Sequence, residues 1–182
     1  AAPLMRDAFD GSGPAWEADA LYKNLIKVEP GFIRVDADEI TYPLHVILRY
    51  RLEKQMIAGD LPLADLPEAW NEGMEKLLGI RPPSDREGCL QDIHWYDGAW
   101  GYFPTYTLGA MTAAQLYTSA LKDEAEIAPG IPLGNFKPLT KWLNKNVHSL
   151  GSSLSVDKMV EQATGSPLGA EAFITHLKTR YL

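Results

Sequence analysis

A chain of 182 residues, 46% of them hydrophobic and 23% charged, has enough material for one globular domain with a sizeable core. Its formal net charge of −7 argues against a nucleic-acid partner, which would call for a clustered basic face, and no apolar run reaches the ~18 to 20 residues of a membrane span. No signal-peptide pattern opens the chain, and its single cysteine, Cys89, cannot form an internal disulfide, so a reducing, cytoplasmic setting is expected, with Cys89 as a small packing residue. The chain starts at Ala1, Ala2 and Pro3 without an initiator methionine, as a trimmed chain or a piece of a longer protein does.

The predicted elements are helical almost throughout. Ser12, Gly13 and Pro14 start a helix over Ala15 to Val28, with Trp16, Ala20, Leu21, Leu25 and Val28 along one face. Glu29, Pro30 and Gly31 break it, and the alternation from Phe32 to Val35 predicts a short strand. A long helix follows from about Ile40 to Ala58, with Pro43 tolerated in its first turn and Gly59 closing it. Asp65 caps the next helix, which runs to Leu78 and ends at Gly79. After an aromatic stretch, Tyr106 to about Lys122 is helical again. A Pro- and Gly-containing loop then leads to helices near Lys137 to Ser149, Ser155 to Thr164 and Ala170 to Tyr181. No repeat, low-complexity tract or composition shift marks a second domain. The expectation is an all-α, single helical domain with at most a short strand pair.

The four histidines are His45, His94, His148 and His176. None belongs to a His-Glu-x-x-His helix, none lies three or four residues from another, and no paired-cysteine motif is present, so no metal site is expected within these residues. His148 and His176 fall in amphipathic helices and read as surface or internally bonded histidines, not ligands, and His45, one turn beyond Thr41, reads the same way. His94 stands apart because of its company. Trp95, Tyr96, Trp100, Tyr102, Phe103 and Tyr106 follow it within twelve residues, and neither Lys nor Arg occurs between Arg86 and Lys122. Amide hydrolysis passes through a tetrahedral oxyanion, which needs preorganised donors in a water-poor place. A tyrosine hydroxyl is a neutral donor at pH 7, an imidazole can donate from either nitrogen, and aromatic surroundings strengthen both bonds. Gly98, Gly101 and Pro104 shape a loop that can fold His94 and Tyr106 onto one site. A plain aromatic core cluster is the alternative.

Arg34 is the second unusual residue. It sits in an apolar stretch with Asp36 and Asp38 close by, and a buried guanidinium is costly unless it is paired or binds an anion. Its fork suits a carboxylate ligand. On spacing alone, a structural pair with Asp36 or Asp38 competes equally.

These stretches together resemble the carboxypeptidase Taq family, thermostable zinc metallocarboxypeptidases on a helical His-Glu-x-x-His fold. The family's Ile-Arg-x-x-Ala-Asp is matched by Ile33, Arg34, Ala37 and Asp38, and its Gly-x-x-Gln-Asp-x-His-Trp by Gly88, Gln91, Asp92, His94 and Trp95. The runs from Asp38 to His45 and from Gly101 to Gly109 are also similar to it. The resemblance covers essentially the whole chain and corresponds to the C-terminal part of the family's enzymes.

What the resemblance implies follows residue by residue. Arg34 would receive the C-terminal carboxylate of a peptide substrate, and His94 and Tyr106 would stabilise the oxyanion. Tyr102 would contact substrate or its C-terminal carboxylate. Gln91, Asp92 and Trp95 would orient His94, while Asp36 and Asp38 would hold Arg34 and the start of the long helix. Zinc, or another divalent metal, would be the cofactor of the full-length enzyme, and a homodimer its expected assembly. The family's zinc ligands and general-base glutamate lie upstream of the matched part, so this chain alone is expected to hold no metal and to be inactive. A stand-alone, non-catalytic helical module that binds peptide C-termini or dimerises is the competing reading. An aromatic sugar-binding cleft is disfavoured because the chain reads as helical.

Overall fold

The computed structural model describes residues 1–182 and contains helices and turns but no strand. The chain groups into two compact units, Ala1–Pro104 and Thr105–Leu182. No composition shift announced that division, because it falls inside the aromatic stretch.

The first unit begins with α1 (Ala2–Ala8), a 3-10 turn at Pro14–Trp16 and α2 (Ala18–Leu25). The helix predicted from Ala15 to Val28 is therefore broken at Glu17, whose backbone is extended. There Trp16 folds back over Gly11 and stacks on Phe9. The predicted strand at Phe32 to Val35 is corrected to a 3-10 turn, Arg34–Asp36. A strand needs a ladder partner for its backbone groups. Here the Arg34 N–H instead donates to the side chain of Gln91 at 3.1 Å, and the Phe32 carbonyl accepts from the same side chain at 2.9 Å.

The long helix α3 (Tyr42–Ala58) has Pro43 in its first turn and ends at Gly59, whose φ of 81° suits a residue without a Cβ. Asp38 prepares its start by accepting from the N–H groups of Ile40 and Thr41 and from the Thr41 hydroxyl, each at 2.9 Å. A 3-10 turn, Leu63–Asp65, leads into α4 (Leu66–Leu78), where the Asp65 side chain makes no capping bond. Leu48 and Leu52 of α3 pack against Trp70, Met74 and Leu78 of α4, with Cys89 completing the cluster. Burial raises the Cys89 thiol pKa, with Asp85 adding to the effect, and the buried side chain packs into this cluster. A 3-10 turn, Cys89–Gln91, and the one-turn helix α5 (Ile93–Tyr96) then carry the aromatic stretch.

The second unit comprises α6 (Thr105–Asp123), α7 (Ile127–Gly130), α8 (Lys137–Asn146), α9 (Val156–Thr164) and α10 (Glu171–Tyr181). Leu116, Ala120, Ile127 and Trp142 form its core. The buried Gln115 secures one end by donating to Thr164 and the Pro167 carbonyl and accepting from the Gly169 N–H. His148 and His176 stay peripheral: His148 bonds Asn144, and His176 stacks on Phe173.

Candidate functional site

In the first unit, the Arg34–Asp36 turn, one face of α3 and the loop from Gly88 to Pro104 gather the charged and aromatic residues. Asp92 is the N-cap of α5, and its Oδ1 accepts both the backbone N–H of His94, at 2.9 Å, and the His94 ring at Nδ1, at 3.0 Å. On the other side, Oδ2 takes a charge-assisted bond from Nε of Arg49. Burial alone would raise the Asp92 pKa, but the Arg49 charge and the bonds from Arg49 and His94 outweigh it and hold it below the usual carboxylate value. Asp92 is therefore an acceptor only, and Nδ1 of His94 must carry a hydrogen. The ring's other polar atom is Nε2.

The His94 ring is clamped by aromatics, stacked on Tyr102 at 5.6 Å between centroids and edge-on to the buried Phe103 at 5.1 Å. Tyr102 itself is half exposed. Arg34 lies against the same Phe103, its guanidinium carbon 5.0 Å from the ring centroid. It forms no ion pair with Asp36 or Asp38, and its buried Nε lacks a hydrogen-bond partner. The expectation that these acids hold Arg34 is corrected. Asp38 is occupied with the Glu29 N–H and the entry to α3, its pKa lowered because those bonds outweigh the raising effect of burial, and Asp36 is exposed.

Two further residues differ from expectation. Gln91 positions Arg34 and not His94: its Oε1 accepts the Arg34 N–H, and its Nε2 donates to the Phe32 and Glu87 carbonyls. Trp95 points its N–H to Glu53 at 3.2 Å, stacks on Trp100 and meets Trp70 edge-on. The same Glu53 accepts the Gly101 N–H, so Trp95 and Glu53 together anchor the aromatic loop. Tyr106 lies in the first turn of α6, in the second unit, and is 41% exposed.

The residues missed by sequence reasoning share one face of α3. Thr41, His45, Arg49 and Glu53, each four apart, are all buried. That i, i+4 row of polar residues was the available signal, since it marks a helix face turned toward a polar interior. Arg49 is fully buried between the rings of Trp70, at 4.5 Å, and Phe103, at 4.6 Å. Burial lowers its pKa to about 10 against the pull of Asp92, so it remains charged at neutral pH. A surface hollow of about 230 Å³ between α3 and α4 is lined by Leu48, Leu52 and Gly73 and by none of these buried polar residues.

His45 is completely buried, and no hydrogen bond of ordinary geometry reaches either ring nitrogen. Burial first, then the charges of Arg49 and Arg34, lower its pKa to about 4, with the Gly31 backbone and Asp38 pulling weakly upward. The unfolded chain binds a proton from its reference value of 6.5 downward that the folded chain refuses until about pH 4. Stability is therefore intact above pH 6.5 and falls by about 3 kcal/mol as pH drops to 4. The urea midpoint of the parent should decline across that window, and His45→Gln should flatten the slope. Equal slopes in the two proteins would remove His45 as the source.

No group of three or more His, Cys, Asp or Glu side chains placed to hold a metal ion occurs in the structure. No helix is long and apolar enough to cross a membrane.

Residues 1–181 match the model of the family described as Carboxypeptidase Taq (M32) metallopeptidase. The chain is 43% identical over 162 residues to Thermostable carboxypeptidase 1 of Pyrococcus furiosus, covering 89% of this chain and 32% of that protein. It is 41% identical over 163 residues to Carboxypeptidase 1 of Bacillus subtilis, covering 90% and 32%. Among solved structures, Trypanosoma cruzi metallocarboxypeptidase 1 superposes with a TM-score of 0.93 at 41% identity, over 99% of this chain and 38% of that one. The chain thus spans about a third of the length of the relatives it matches.

Proposed function

Since the chain belongs to the carboxypeptidase Taq (M32) metallopeptidase family, we propose that it is the part of a metallocarboxypeptidase that reads the substrate's C-terminal carboxylate and stabilises the oxyanion. What supports the reading is a guanidinium without a carboxylate of its own. Arg34 is held by its backbone to Gln91, lies along Phe103 and has neither Asp36 nor Asp38 as a partner. A peptide's terminal carboxylate supplies the charge and bidentate geometry that such a fork accepts.

As water adds to the last peptide bond, negative charge gathers on the carbonyl oxygen. His94, donating from Nε2, and Tyr106, donating its hydroxyl, would stabilise that charge. The stacked Tyr102 keeps the His94 ring in plane and covers it from water. A divalent metal, zinc in this reading, supplies the activated water and polarises the carbonyl when bound, with ligands from polypeptide beyond these residues. On that basis residues 1–182 by themselves are inactive. A buried lone thiol supports a reducing, cytoplasmic location.

The test is Arg34→Ala in an enzyme completed to the length of those relatives. KM should rise and kcat/KM should fall by about 2 to 4 kcal/mol, the scale of removing one partner of a desolvated charge pair. Unchanged trimming of peptides would return Arg34 to a structural role.

A further inference from the structure

Asp92 and Arg49 are both wholly buried, and they form the chain's one fully buried ion pair. Oδ2 of Asp92 takes the bond from Arg49, while Oδ1 takes both bonds from His94. Arg49 is rigidly placed, flanked by Trp70 and Phe103 and donating from Nη1 to the His45 carbonyl at 3.3 Å. It touches no part of the aromatic surface that faces solvent. Its charge nevertheless lies one carboxylate away from the His94 ring.

We propose that Arg49 is a positioning residue that supplies the counter-charge of Asp92, so that Asp92 holds Nδ1–H of His94 without forcing the ring to stay protonated. A buried carboxylate demands one positive partner. With Arg49 present, that demand is met from inside the core, and His94 is oriented by a hydrogen bond without having to supply the charge. Without Arg49 the demand falls on the Asp92–His94 pair, which must then bind one more proton across the neutral range. Around the ring, Tyr102 stacks on it and Phe103 meets it edge-on, Tyr96 is the other titratable residue of α5, and burial holds His45 behind Arg49 neutral. Glu53 is engaged by Trp95 and Gly101, and Arg34 lies along Phe103.

The importance of this for catalysis rests on the role of His94 proposed above, but its test does not. The 182-residue chain, labelled with ¹⁵N-histidine, is titrated by NMR as the parent, Arg49→Gln and Arg49→Lys. Gln keeps a donor on a similar stem and removes the charge, whereas Lys keeps the charge and removes the fork. In the parent, Nδ1 of His94 should be protonated throughout and the titration should appear at Nε2. In Arg49→Gln the midpoint should rise by about one pH unit or more, a tenfold gain in proton affinity, whereas Arg49→Lys should stay close to the parent. An unprotonated Nδ1 in the parent overturns the proposal, as does a folded Gln variant with an unmoved midpoint. Should Arg49→Gln fail to fold, Arg49→Lys decides: a midpoint near the parent's supports the counter-charge role, and a shift of about a unit overturns it. Failure of the carboxypeptidase reading would look different, as normal activity of His94→Ala in the completed enzyme with these titrations intact.

Discussion

Tyr106→Phe should lower kcat about 10²- to 10³-fold in the completed enzyme, the usual effect of removing one oxyanion donor, with KM and melting temperature almost unchanged. The ring and its packing survive the substitution, and only the hydroxyl is lost. Because the bond forms mainly in the transition state, substrate affinity should hardly move. Tyr106 is 41% exposed at the start of α6, so the phenylalanine ring keeps the surroundings of the tyrosine ring. Tyr102→Phe serves as the control: the Tyr102 ring stacks on His94 and Phe preserves that stacking, so its kinetic effect should be milder. A normal kcat and a depressed melting temperature for Tyr106→Phe would identify a structural tyrosine, whose lost hydrogen bond costs about 1 kcal/mol.

The second large effect is on stability. Asp92→Ala should destabilise the first unit by about 3 to 5 kcal/mol, because it leaves the Arg49 guanidinium buried and unpaired. The loss does not reflect the net value of the ion pair, since replacing both partners by apolar residues of similar volume is often neutral or stabilising. The double variant Arg49→Met with Asp92→Leu should therefore recover much of what Asp92→Ala loses, measured by urea unfolding at neutral pH. A double variant as unstable as the sum of the singles would show two independent losses in place of a pair. It would also lose the cap of α5, so part of the deficit, about 1 kcal/mol, should persist.

Much of the helical frame was legible, and the reason is local. α4 stops at Gly79, while α3 carries Pro43 where a first turn tolerates it and Gly59 where a left-handed residue is needed. Such signals act within a few residues and do not depend on the rest of the fold. The turn at Arg34 was read as a strand because Phe32 to Val35 alternates. Its conformation is decided by Gln91, nearly sixty residues away, which supplies the bonds that a neighbouring strand would otherwise have made.

The site was legible in part for the same reason. Asp92 and His94 are two residues apart, and their bond is local. The binding of Arg49 to Asp92 and of Glu53 to Trp95 spans more than forty residues each. Nothing near Arg49 in sequence names its partner, and an apolar-face reading of α3 passes over the buried polar row from Thr41 to Glu53. Asp36 and Asp38 misled for the opposite reason. They are close to Arg34 in sequence, yet Asp38 does more for the uncapped N–H groups at the head of α3 than it could for a side chain already lying along Phe103.

Two peptides that differ only in a free or an amidated C-terminus test the assignment of Arg34 most directly. The measurement is kcat/KM for both peptides in the completed enzyme, as parent and as Arg34→Ala. If Arg34 reads the terminal carboxylate, the parent should prefer the free acid strongly, and Arg34→Ala should lose about 2 to 4 kcal/mol on the acid while changing little on the amide, so that the preference collapses. A preference for the free acid that survives Arg34→Ala undiminished would contradict the assignment and place carboxylate recognition elsewhere in the enzyme.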